Sequence, residues 1–181
     1  MSENPAPETL KEDGLRLFQE GQYPQALEKF EQARAAFQAR GDEAAAGEML
    51  NNLGVVYQRT GQWDQAELVL EAAVQLFGRL GDRHREAQAQ GNLGSFYVSR
   101  GKRKRGMPLL QQAADAFKAL GDRELQRVTL VALSRAALQG REMLAAVAYY
   151  EASLDLIDDP TAKQKALKRF FGVSSRMLSG R

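Results

Sequence analysis

The sequence predicts an all-α fold, a solenoid of antiparallel helix pairs with a C-terminal capping helix, and three observations carry that prediction. Glycine recurs with a fixed step: Gly41, Gly81 and Gly121, each followed by aspartate, stand 40 residues apart. A second series, Gly21, Gly61, Gly101 and Gly140, runs between them with the same step until its last member, which falls one residue early. The stretches between glycines are amphipathic with helical periodicity and about 16 to 18 residues long, which reads as helix, turn, helix, turn. Alanine, glutamine, leucine, arginine and glutamate dominate a chain with only 5 prolines, a composition that favours helix.

Taken in order, residues 1–7 hold two prolines and no apolar run, and are expected to be disordered. Four units follow, at about 8–41, 42–81, 82–121 and 122–157. Asp42, Asp82 and Asp122 each follow a glycine and precede an apolar-periodic run, the punctuation of a helix C-terminus followed by the next N-cap. Within the first helices one column is small: Gly14, Gly54, Gly94 and Ser134. A glycine inside a helix costs about 1 kcal/mol against alanine, so a column of three implies close approach of a neighbouring helix. The second helices carry two more small columns, Ala26, Ala66, Gly106, Ala145 and Ala33, Ala73, Ala113, Ala152. Between these lies a large one, Phe30, Leu70, Leu110, Tyr149, so that small residues face small ones around a single plug. On this alignment the fourth unit is one residue short. Asp159-Pro160 then suits the start of a last helix over about 160–178, with Leu167, Phe170, Phe171 and Leu178 at helical spacing and lysines and arginines elsewhere. Such a helix would cap the array with a polar outer face.

The string Asn52-Leu53-Gly54-Val55-Val56-Tyr57, followed by Gly61, Trp63, Ala66, Leu70 and Ala73, resembles the tetratricopeptide repeat, and Asn92-Leu93-Gly94-Ser95-Phe96-Tyr97 repeats its opening. The resemblance covers residues 8 to 157. Its 40-residue period with Gly-Asp between units is similar to that of spindle-orientation adaptors and kinesin light chains. Leu17 and Ala137 depart from the tyrosine column of Tyr57 and Tyr97, and Arg103 and Glu142 replace the turn aromatics Tyr23 and Trp63. The resemblance implies a right-handed superhelix whose first helices line a concave groove for a partner peptide. Asn52 and Asn92 match the asparagine that, in the adaptor group, clasps the backbone of an extended peptide. A carboxamide offers both a donor and an acceptor and can satisfy a peptide unit without reading its side chain. Around them, Asn51, Val55, Gln58 and Arg59 in the second unit, Gln88 and Ser95 in the third, and Val128, Val131 and Arg135 in the fourth are groove candidates. The other role open to Asn52 and Asn92 is a hydrogen bond to a neighbouring helix. The carboxylate clamp of chaperone-binding relatives is not recognisable: Lys11 is suitably placed, but Leu15, Gln88 and Gly91 stand where other clamp residues belong.

Catalytic chemistry is absent from the sequence. With His84 the only histidine and no cysteine, histidine- and thiolate-based metal sites and Ser-His-Asp triads cannot be assembled, and no cofactor is expected. The chain reads as a non-enzyme. The net charge is +2, but residues 1–100 carry 10 basic and 15 acidic side chains and residues 101–181 carry 15 basic and 8 acidic. This dipole, with the run Lys102-Arg103-Lys104-Arg105 in the turn of the third unit, opens a rival reading as a nucleic-acid or anionic-surface binder. Self-assembly through array ends or the Phe170–Phe171 helix is the other alternative. The N-terminus shows no secretion signal and no stretch is apolar enough to span a membrane, so a cytoplasmic protein is expected. Met1 and the polar Ser179-Gly180-Arg181 tail read as the two ends of a complete chain.

Overall fold

The computed structural model describes residues 5–162, 164–167 and 169. Among the described residues there is no strand; the helices α1 (Pro7–Gln19), α2 (Tyr23–Ala39), α3 (Glu43–Arg59), α4 (Trp63–Leu80), α5 (Arg83–Ser99), α6 (Arg103–Leu120), α7 (Arg123–Gln139) and α8 (Met143–Leu154) follow one another, and residues 162, 164–167 and 169 are helical again. Consecutive helices pack as pairs. The chain forms two compact units that meet within α5, between Leu93 and Gly94.

In the first unit the core is built by Leu10, Leu17, Phe30, Phe37, Met49, Leu53 and Val56. The small column is small because large side chains of the paired helix lie on it. A Cβ on Gly14 would sit 2.7 Å from the Phe30 ring, and one on Gly54 would sit 2.5 Å from Leu70 Cγ. In the second unit the same column meets backbone. A Cβ on Gly106 would lie 2.5 Å from the Gly94 carbonyl oxygen, so α5 and α6 touch main chain to main chain. One pair further on, the buried Ser134 hydroxyl donates to the Ala146 carbonyl at 2.8 Å.

That contact corrects the register of the fourth unit. The buried small positions of α8 are Ala146 and Ser153, at 2% exposure each, whereas Ala145, Tyr149 and Ala152 are only half-buried. The step of 40 is therefore unbroken, and Tyr150 occupies the column of Phe30, Leu70 and Leu110. The turn explains the misreading. Each inter-helix turn from Gly21 to Gly121 is closed by a paired cap with the glycine in the left-handed region, as where Asp42 N–H donates to Phe37 O at 3.0 Å and Gly41 N–H to Gln38 O at 3.0 Å. In the last turn the residue in that conformation is Arg141, at φ 59°, while Gly140 remains at −83°. Glu142 N–H still donates to Ala137 O at 2.9 Å, so the hydrogen bonds hold the geometry even where the glycine has slipped by one position.

Asp42, Asp82 and Asp122 cap their helices as the sequence predicts, accepting from the N–H of Ala45, Arg85 and Leu125 at 2.9, 3.0 and 3.0 Å. Beyond α8, a reciprocal cap forms at Thr161: its N–H donates to Gln164 Oε1 at 2.7 Å, and Gln164 N–H donates to its hydroxyl at 3.4 Å. Phe170, Phe171, Arg176 and Leu178 of the expected capping helix lie outside the described residues, as do Lys163 and Lys168.

Candidate functional site

In the first unit, α1, α3 and α5 are laced together by charge. Glu48 on α3 accepts from Lys11 Nζ of α1 at 2.5 Å and from Arg85 Nε of α5 at 2.6 Å. Arg85 also reaches Asp82 at 2.6 Å. Burial pushes the Glu48 carboxyl up, but the hydrogen bonds from Lys11 and Arg85 outweigh it and hold the group below its ordinary value. Asp82 is likewise held low, first by the Arg85 backbone N–H and then by the Arg85 guanidinium. Lys11 is thus spent on Glu48, a second reason why a carboxylate clamp is missing.

Along the same helices lie the carboxamides. Asn92 Nδ2 donates to Asn51 Oδ1 at 3.0 Å, which brings together two of the predicted groove residues from α5 and α3. Asn52, half-buried, makes no side-chain hydrogen bond among the described residues. Asn92 is therefore held by a neighbouring helix and Asn52 is not. Val55, Gln58 and Gln88 are half-buried and Arg59 is exposed.

The second unit carries a different surface. Ser95, Val128, Val131 and Arg135 line one cavity of about 510 Å³, floored by Val98, Leu110 and Ala132. Val128, Val131 and Arg135 meet there because they lie on one face of α7 at spacings of three, four and seven residues. Arg127, also on the lining, is occupied by a two-pronged bond to Glu124 at 2.6 and 2.8 Å. Arg135 is exposed and makes no ion pair among the described residues.

Lys102 to Arg105 do not form a free turn. Arg103 opens α6, Lys102 is its N-cap residue, and much of the run's charge is used inside the unit. Lys102 and Arg105 stand over the buried Tyr97 ring, at 5.6 and 4.0 Å from its centroid. Arg103 donates to Glu142 at 2.8 Å. The charge that replaces the aromatic of the earlier units is thereby answered by the N-cap residue of α8.

The ionic ladder is what sequence reasoning missed. Lys11, Glu48 and Arg85 are 37 residues apart, three short of the repeat, and Asn51 and Asn92 are 41 apart. Side chains of adjacent first helices thus meet from about one helical turn short of the repeat step to one residue beyond it, so opposite charges at an offset of 37 were the available signal.

Comparison with known proteins agrees with this helix-pair architecture. Two overlapping stretches, residues 14–79 and 46–113, match the sequence model described as "Tetratricopeptide repeat", together more than half of the 181 residues. The chain belongs to the tetratricopeptide repeat family. This tetratricopeptide protein is similar in fold to the crystal structure of BtubC (BKLC) from P. vanneervenii, with a TM-score of 0.73 and 18% identity over 88% of this chain and 70% of that one. At that identity the likeness concerns the fold alone. No curated protein matches the chain. Tetratricopeptide repeats are in general non-enzymatic protein–protein interaction scaffolds, and a scaffold with protein partners is the role that membership gives this chain. No described helix is long and apolar enough to cross a membrane.

Proposed function

We propose that this tetratricopeptide protein is an adaptor that binds an extended segment of a partner protein along the face of α3 and α5, with Asn52 and Asn92 holding the partner's backbone. The observation that carries this reading is the state of the two carboxamides. Asn51 fixes the orientation of Asn92 through one N–H, leaving its carbonyl and second N–H for a ligand, while Asn52 retains its full donor and acceptor capacity. A half-buried amide without a protein partner gains about 1 kcal/mol from each hydrogen bond it makes to a ligand, with little ordering cost when it is already held in place. Cysteine is absent, which is compatible with the reducing cytoplasm where we place the protein.

The test is an affinity capture from source lysate at physiological salt, with wild type and an Asn52→Ala, Asn92→Ala double variant. A discrete protein held by wild type and lost by the variant, at unchanged helix content and melting temperature, is the expected result. Equal capture by both, or a variant that unfolds, would remove the carboxamides from the recognition role.

Self-association is favoured as a second reading by one observation: Leu138, Met143 and Leu144 in the second unit are 48%, 60% and 62% exposed. A light-scattering mass that remains monomeric at high concentration would exclude it. The nucleic-acid reading is weakened because Lys102, Arg103 and Arg105 are engaged by Tyr97 and Glu142.

A further inference from the structure

We infer that the edge of the second unit formed by the α5–α6 and α7–α8 turns docks on an anionic lipid surface, with Leu138, Met143 and Leu144 entering the interface and Lys104 and Arg141 holding the headgroups. The inference goes beyond the groove reading above and does not depend on it. The two turns are tied to each other. Arg103 of the first donates to Glu142 of the second at 2.8 Å, and its guanidinium rests on Gly140, where a Cβ would lie 2.5 Å from Arg103 Cζ. That ion pair cancels the one carboxylate of the edge: residues 98–106 and 138–144 together hold six lysines and arginines against a single glutamate. On the same edge Leu138, Met143 and Leu144 are 48%, 60% and 62% exposed. Asp64, Lys104 and Leu144 share a column at the step of 40, so the last turn has exchanged a charged residue for an exposed apolar one.

Two features separate this edge from an ordinary solvated turn. Among the described residues Arg141 alone, apart from glycines, stands in the left-handed region, a conformation that disfavours a side chain. It makes no ion pair there, so a cation is held at the tip of the turn against the preference of its own backbone. Lys104, exposed in the first turn of α6, likewise makes no ion pair among the described residues. The Tyr97 ring orients Lys102 and Arg105 without cancelling their charge. Exposed leucine and methionine beside unneutralised cations suit an anionic bilayer: the apolar chains leave water for the boundary between headgroups and acyl chains, and each cation is drawn by the negative surface potential. One such signal gives only marginal attachment, whereas two together hold. A nucleic acid would use the charge and leave the apolar trio in water. A second copy of this chain, docked edge to edge, would set like charges against each other.

The chain has no cysteine, so a single introduced one carries a unique environment-sensitive fluorophore. The full chain is labelled at Leu144→Cys, or at Leu68→Cys on α4 as a control, and mixed with vesicles of phosphatidylcholine alone or of phosphatidylcholine with phosphatidylserine. The label at position 144 is expected to shift to the blue on the phosphatidylserine vesicles only, and the label at position 68 on neither. In co-sedimentation with the same vesicles, the Lys104→Glu, Arg141→Glu double variant should bind about tenfold or more weakly. Met143→Ser, Leu144→Ser should lose most of the binding. All four side chains are exposed, so both variants should keep the wild-type melting temperature. Arg141→Gly should raise the melting temperature and yet weaken vesicle binding about fivefold. Wild type that sediments with neither vesicle, that binds both compositions equally, or whose binding ignores the charge reversal would overturn the inference. An oligonucleotide bound instead of vesicles, lost on charge reversal and indifferent to Met143→Ser, Leu144→Ser, would make the edge a nucleic-acid contact. A dimer abolished by Leu144→Ser, without vesicle binding, would make the occupant a second copy. The Asn52→Ala, Asn92→Ala variant should bind vesicles as wild type does, so failure of the groove reading leaves this result standing.

Discussion

The two units of this tetratricopeptide protein solve the same packing problem with different atoms. In the first, glycine on one helix receives a large side chain from its pair, Phe30 on Gly14 and Leu70 on Gly54. In the second, Gly94 and Gly106 bring two backbones together, and the Ser134 hydroxyl then binds the Ala146 carbonyl. The column is constrained by the distance to whatever lies across it, so glycine serves against Phe30, Leu70 and backbone, and serine serves where its hydroxyl binds the facing carbonyl. The surfaces outside the columns diverge further. On the first unit the faces of α3 and α5 carry carboxamides beside a self-neutralised ionic ladder. On the second, α7 presents valines and an arginine with no ion pair among the described residues, over an apolar floor. Packing constrains the columns strongly and leaves the remaining surface free to differ between the two units.

The sharpest way to break this comparison is to add one methyl group. Gly106→Ala drives a Cβ against the Gly94 carbonyl, and backbone cannot step aside, so a net loss of about 2 to 3 kcal/mol is expected after the helix-propensity gain. Gly54→Ala meets the Leu70 side chain, which can change rotamer, and should cost about 1 kcal/mol or less. Urea denaturation of the two variants ranks them. Equal costs would mean that the backbone contact is no tighter than the side-chain one.

Acid should act on the first unit. Glu48 and Asp82 have folded-state pKa values depressed below their unfolded ones, so their contribution is present above the ordinary carboxylate range and is lost as pH falls through the depressed values. Glu48→Gln should flatten that acid dependence and cost about 1 kcal/mol at neutral pH, since the pairs with Lys11 and Arg85 are partly exposed. Thermal melts at acidic and neutral pH read both effects, and an acid profile unchanged by the substitution would take the ladder out of the account. The smallest effect is expected at the slipped turn. Arg141→Gly removes a side chain from the left-handed region and should stabilise by about 0.5 to 1 kcal/mol, visible as a rise in Tm.

Much of the fold was legible because its punctuation is chemical. Gly-Asp marks a left-handed residue followed by a cap, and three aspartates make that bond. Legibility failed where geometry persisted without its usual residue. Arg141 adopts the glycine conformation beside a real glycine, and following the glycine instead of the step displaced α8 by one position. The candidate surfaces were legible only as columns. Periodicity placed Val128, Val131 and Arg135 on one face, but whether a polar group is already spent depends on neighbours at offsets of 37, 39 or 41 residues. For that reason Lys11, Arg103 and Asn92 turned out to be partnered, while Asn52 and Arg135 have no side-chain partner among the described residues.

The central claim, that a partner lies against the carboxamide face of α3 and α5, is tested most directly by photo-crosslinking. A photoreactive residue is placed at Val55, half-buried between the carboxamides and Gln58 on α3, and in a second protein at Leu68, which is 69% exposed on α4. Each is irradiated with the partner recovered by affinity capture. The account predicts a crosslink from position 55 and none from position 68. A crosslink from position 68 alone would contradict it.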